Sequence, residues 1–94
     1  IVDARSVKSY AISDEVVPGA VRLDPQQSVR SATALALPKD ATLALFCACP
    51  HDETSIRVAS ELRRAGWVNA RVVEGGWNAW AAAGLPIASR ANAK

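Results

Sequence analysis

The chain has little of several things that other proteins are built on. Its 94 residues include two cysteines, one histidine, one tyrosine, one phenylalanine and no methionine. Cys47 and Cys49 are one residue apart, so a bridge between them would be strained and would close almost no loop. A disulfide framework is therefore not expected, and a reducing compartment fits best. No apolar run approaches the roughly 20 residues of a membrane-spanning helix. Net charge is only +2, with acids and bases interspersed. No basic-aromatic platform accompanies it, so nucleic acid is not an expected partner. There is no initiator methionine and no signal-peptide pattern, and residue 1 already opens an apparent strand. The expectation is a piece of a longer chain, whose remainder could carry a targeting or membrane segment or a covalently attached upstream domain. The expected location is the cytoplasm, or the cytoplasmic face of a membrane if the piece comes from a membrane protein.

Half of the residues are apolar, but 19 of them are alanine. That supports one broad, lightly filled core and a single domain. Ile1–Arg5 reads as a short buried strand whose exit carries Asp3 and Arg5. Ser6 is suited to cap a brief helix through Ala11. A Pro18-Gly19 turn precedes a second strand ending near Leu23. Asp24-Pro25 opens a helix to about Leu37, which Pro38-Lys39-Asp40 breaks.

The five apolar residues Leu43–Cys47 read as a parallel strand buried on both faces. Ser55–Ala65 follows as a helix with Ile56, Ala59 and Leu62 inward, and Gly66 as its stop. Ala70–Val73 gives a fourth strand, Glu74-Gly75-Gly76 a sharp turn, and Trp77–Ala83 a last helix ended by Gly84. Residues 88–94 read as a tail, frayed from Ser89 on, beyond a domain at 1–87. Alternating strands and helices predict an α/β fold with three layers: a mainly parallel sheet of about four strands, covered by helices on both faces. Ligands on such sheets bind at the carboxyl ends of strands, where Asp3, Arg5, Cys49 and Glu74 fall. A cysteine on a loop that opens into a helix N-terminus faces main-chain N–H groups and the positive end of the helix dipole. That setting stabilises a thiolate, the nucleophilic form.

Several motifs converge on one family. They are Asp3-Ala4-Arg5, Pro18-Gly19-Ala20, Cys49 before a short loop and helix, Glu74-Gly75-Gly76 with Trp80, and Gly84-Leu85-Pro86-Ile87. In this order and spacing the chain resembles a rhodanese-like domain over residues 1–87. In that family a cysteine is followed six positions later by Ser or Thr and 17 positions later by the helix-ending Gly. Cys49 meets both with Ser55 and Gly66, whereas Cys47 would put Glu53 and Arg64 there. The Cys-x-Cys-Pro form of the loop is similar to that of rhodanese domains following DedA-type bacterial membrane proteins. Three departures stand out. The loop Pro50-His51-Asp52-Glu53-Thr54 is acidic where the family's is rich in Gly and Arg. Val16 replaces a His that often precedes the P-G-A turn. The family's usual first strand and helix are missing, which leaves a sheet edge bare or covered by other sequence.

The resemblance implies a sulfurtransferase without a cofactor, in which Cys49 carries sulfane sulfur as a persulfide and passes it to a thiol or cyanide. Asp52 and Glu53 disfavour a dianionic donor such as thiosulfate, unless they turn outward. A protein persulfide or a low-charge small persulfide suits the loop better. Cys47 reads as a buried small hydrophobe, with a resolving thiol as the alternative. His51 is either a proton donor or substrate contact, or a solvated loop residue. Thr54 or Ser55 caps the helix and either hydroxyl could bond to the persulfide. Arg5 is read as paired with an acid such as Glu74, with anion reception as the alternative. Trp67, Trp77 and Trp80 are assigned to packing. A phosphatase would need Arg six positions after the cysteine. A metal site from Cys47, Cys49 and His51 lacks a fourth ligand, so no metal is expected. The remaining rival is a non-catalytic module for partner docking or redox sensing.

Overall fold

The computed structural model describes residues 1–48 and 50–90. Four short strands, β1 (Val2–Asp3), β3 (Val21–Arg22), β4 (Leu43–Phe46) and β5 (Ala70–Val72), form one parallel sheet in the order β3-β1-β4-β5. Val2 lies opposite Val21 on one side and Leu45 on the other, and Asp3 lies opposite Arg22 and Phe46. Leu43 and Leu45 register with Ala70 and Val72. All strands therefore end on the same side, where crossover-connected sheets present their sites.

Between the strands run helices α1 (Val7–Ile12), α2 (Ser28–Ala34), α3 (Glu53–Arg64) and α4 (Gly76–Ala82). Local chemistry sets their ends. Ser6 Oγ accepts from Ser9 N at 3.1 Å and caps α1. Asp24 Oδ1 accepts from Gln26 N, and Pro25 opens a short 3-10 turn leading into α2. The helix expected from Asp24 to Leu37 is thus a 3-10 turn plus two turns of α-helix. Lys39 Nζ donates to the Ala65 carbonyl and compensates the negative end of α3.

Side-chain alternation divides the sheet's faces. Val2, Ala4, Leu23, Leu43, Leu45 and Ala70 pack with Ala32 of α2 and Val58, Ala59 and Leu62 of α3 in the apolar core. Trp67 joins this core and donates its indole N–H to the Leu37 carbonyl at 3.0 Å. Asp3, Arg22 and Phe46, one residue out of phase, face the other way. There Phe46 meets Trp77 of α4 at 6.0 Å between ring centroids. The three-layer arrangement follows, but the second interface is built from guanidinium groups and aromatic rings rather than aliphatic side chains.

Two expectations fail here for physical reasons. Ile56 is 52% exposed, because α3 buries positions 55, 58, 59 and 62, an i, i+3, i+4, i+7 stripe that leaves 56 to one side. The second difference lies at the carboxyl terminus. Ala88–Ser89 forms β6, which pairs antiparallel with β2 (Glu15–Val16), and Arg90 N donates to the Asp14 carbonyl. The frayed tail expected from Ser89 therefore begins with an ordered strand; residues 91–94 lie outside the described residues.

Candidate active site

β4 ends at Phe46, and the chain reaches α3 through a 3-10 turn at Pro50–Asp52. His51 (φ 56°) and Asp52 (φ 58°) both adopt the left-handed conformation. This region disfavours most side chains by about 1–2 kcal/mol, while Asn, Asp and His are enriched in it. The residue types that looked foreign to the family's Gly-rich loop therefore suit its backbone. A left-handed residue running into a right-handed one turns successive main-chain N–H groups toward a common concavity, which suits an anion. Asp52 followed by the helical Glu53 has this form.

The neighbouring turn clamps the loop. Gly75 N donates to Asp52 Oδ2 at 2.9 Å, and Trp77 N donates to the Cys47 carbonyl at 2.9 Å. Gly76 is buried against the same carbonyl, where an added Cβ would lie 2.2 Å from the Cys47 oxygen and 3.3 Å from Asp52 Oδ1. The Gly75-Gly76 pair thus supplies two positive-φ turns, at φ 81° and 55°, and a close backbone approach.

Asp3 and Arg5 support the loop from below. Arg5, 1% exposed, forks onto Asp3: Nε lies 3.0 Å from Oδ1 and Nη2 lies 2.8 Å from Oδ2. Its Nη2 also donates to the Glu15 carbonyl at 3.0 Å. Its guanidinium carbon stands 4.5 Å from the centroid of Trp77, 5.2 Å from Tyr10 and 5.9 Å from Phe46. Arg5 is therefore a buried structural cation, not an exposed anion receptor. Its partner is Asp3 rather than the exposed Glu74. Sequence spacing hid this, since a D-x-R pair on adjacent turns of a strand exit closes only when the chain bends back.

This arrangement, a parallel sheet whose third sequential core strand runs into a clamped loop and a helix, can be matched to known proteins. A family model described as rhodanese-like domain matches residues 1–83. The chain belongs to the rhodanese-like family. Among solved structures, it resembles the Rhodanese_3-like domain of the Anabaena sp. Alr3790 protein, with a TM-score of 0.78 and 26% identity over 93% of this chain and 94% of that one. A second crystal structure of that rhodanese-like domain gives a TM-score of 0.76 at 26% identity, covering 93% and 77% of the two chains. A structure of the Alr3790 protein itself gives 0.79 at 27%, covering 94% and 65%. No curated protein matches.

In the rhodanese-like domain the expected site residues gather as follows. Cys49 and the side chain of Pro50 lie outside the described residues. Cys47 is buried at the end of β4, and its sulfur is disulfide-bonded. This differs from the reduced thiol expected at Cys47. His51 and Glu53 are exposed, and Asp52 and Thr54 are half-buried. Ser55 is fully buried in the first turn of α3, and its Oγ has no hydrogen-bond partner among the described residues. The hydroxyl does not cap α3, whose N-cap, Asp52, makes no side-chain cap bond. Away from the loop, the Ser28 hydroxyl, donating at 2.6 Å, with Arg57 nearby, holds the Glu61 carboxyl below its usual range.

Proposed function

We propose that this rhodanese-like domain is a sulfurtransferase carrying sulfane sulfur on Cys49. In the first half-reaction the Cys49 thiolate attacks the outer sulfur of a donor persulfide. A new S–S bond forms, the donor's S–S bond breaks, and the donor leaves as a thiolate. In the second, an acceptor thiolate attacks the outer sulfur of the Cys49 persulfide and takes it away, restoring the Cys49 thiolate. Cyanide in the acceptor role leaves as thiocyanate. One S–S bond is exchanged for another, or for S–C, so no outside oxidant or reductant enters. The disulfide at Cys47 is opened before this cycle by a thiol reductant, which leaves as its own disulfide.

The observation that carries this reading is the buried Ser55 hydroxyl, unpaired in the first turn of α3, six positions after Cys49. A buried donor without an acceptor costs about 1–3 kcal/mol, a burden that functional sites commonly retain. A persulfide anion would accept from it, alongside the loop amides. Asp52, held to Gly75 N, and the exposed Glu53 keep negative charge beside the loop, which supports a low-charge or protein persulfide donor over thiosulfate. The second reading, a docking or redox-sensing module, draws on the disulfide at Cys47 and on the exposed Ile56.

Incubating the reduced domain with thiosulfate, and separately with a small persulfide, followed by peptide mass mapping, separates the readings. Gain of one sulfur at Cys49 from the persulfide supports the enzyme. No gain from either donor supports the module, and gain at Cys47 overturns the assignment of the nucleophile.

A further inference from the structure

The face of the sheet that carries Arg5 also holds a cavity of about 200 Å³ between α1, the Pro18-Gly19 turn and β3. Its lining includes Asp3, Tyr10, Arg22 and Arg90, and none of the described residues of the loop from Cys47 to Ser55. At roughly 30 Å³ per water it has room for several waters or for a small organic molecule. One wall is apolar, made by Val16, Val17 and Ala20. The other carries two guanidinium groups, each with its carbon 4.3 Å from the centroid of Tyr10.

These two arginines are incompletely satisfied. Arg22 Nη1 donates to the carbonyls of Asp3 and Leu23 at 3.0 and 2.7 Å, but its other nitrogens have no acceptor among the described residues. Arg90 Nη2 donates to the carbonyls of Tyr10 and Ser13, while its Nε is buried with no partner among the described residues. Both oxygens of Asp3 are engaged by Arg5, and Arg22 Nη1 lies 3.9 Å from the nearer one. With Asp3 held by Arg5, Arg22 and Arg90 face the cavity without a carboxylate of their own, a balance that favours an anion. Guanidinium donors favour planar carboxylates, which accept two parallel N–H bonds. The geometry points to this cavity as a binding site for a small monocarboxylate, its carboxylate on Arg22 and Arg90 and its short aliphatic part on Val16, Val17 and Ala20. The site stands whether or not Cys49 transfers sulfur, since none of the described residues of that loop lines the cavity.

Arginine Nε–H resonances of the ¹⁵N-labelled chain provide the test, titrated with propanoate at constant ionic strength and compared with propanamide, phosphate and chloride. The Arg90 Nε–H signal, assigned by its loss in Arg90→Gln, is expected to shift saturably with propanoate and not with propanamide. The Arg22 signal is expected to lose its response at least tenfold in Arg90→Gln. Three results overturn the inference: no saturable shift with propanoate in the wild-type chain, an equal response to propanamide, or tighter binding of phosphate than of propanoate. Because the wild-type titration reads the site directly, a poorly folded variant would not protect the inference from failure.

Discussion

Replacing Gly76 by alanine tests how tightly the Glu74-Gly75-Gly76 turn holds the reactive loop. Its φ of 55° costs an alanine about 1–2 kcal/mol relative to glycine-like freedom. The added Cβ would sit 2.2 Å from the Cys47 oxygen. Even a close C···O contact needs about 3.3 Å, so the turn and loop must part by roughly 1 Å. That separation stretches the Trp77 N–Cys47 O bond beyond hydrogen-bonding range, which forfeits a further 0.5–1.5 kcal/mol or so. The expected loss is about 1.5–3.5 kcal/mol, large against a total stability on the order of 5–15 kcal/mol. Gly84→Ala is the control: its φ is 70°, but nothing lies within 4 Å of an added Cβ, so only the conformational cost of about 1–2 kcal/mol applies. Urea unfolding of the two variants under reducing conditions measures the difference. Gly76→Ala should be the less stable by about 0.5–1.5 kcal/mol, with faster alkylation of Cys47 as its carbonyl clamp opens. Equal destabilisation of the two variants would refute the clamp.

Ser55→Ala removes a buried hydroxyl that has no partner, so stability should hold or rise slightly while persulfide transfer falls; a loss of stability with unchanged transfer would show the hydroxyl to be structural. Arg5→Met removes the bidentate partner of the buried Asp3, leaving Arg22 at 3.9 Å as its nearest cation, and should cost about 3–5 kcal/mol, read by chemical denaturation. Ser28→Ala should raise the Glu61 pKa, followed by NMR titration, and cost about 1 kcal/mol near neutrality. Because the folded carboxyl titrates below its unfolded value, its stabilisation is present above the unfolded pKa and is lost as pH falls through the folded one. The variant should therefore lose less stability on acidification than the parent.

Where a structural feature depends on a few consecutive residues, it was legible in the chain. Ser6 and Asp24-Pro25 announce helix starts, Gly66 and Gly84 helix ends, and Leu43–Phe46 a doubly covered strand. Their chemistry is local and tertiary packing did not override it. The features that escaped are those made by distant segments. Glu15–Val16 and Ala88–Ser89 are two-residue strands, too short for periodicity, and are defined only by each other. Arg22 and Arg90 stack on Tyr10 from opposite parts of the chain, so one face of the sheet is charged and aromatic where alternation alone would predict apolar cover. At the site, Cys49 lies outside the described residues, while Ser55 in the first turn of α3 and Gly66 just past its end were readable. The use of Asp52 as a tie to Gly75 was not, because a carboxylate near an anion site looks repulsive until its partner is known. The left-handed pair at His51 and Asp52 had a usable signal in the residue types themselves.

The pH dependence of iodoacetamide alkylation at Cys49, measured in reduced Cys47→Ala, tests most directly whether the loop and helix dipole create a nucleophile. The rate should follow a single titration with its midpoint clearly below the value of about 8.5 for an ordinary cysteine. A midpoint at or above that value would show that the loop does not stabilise a thiolate and would contradict the proposed sulfur transfer.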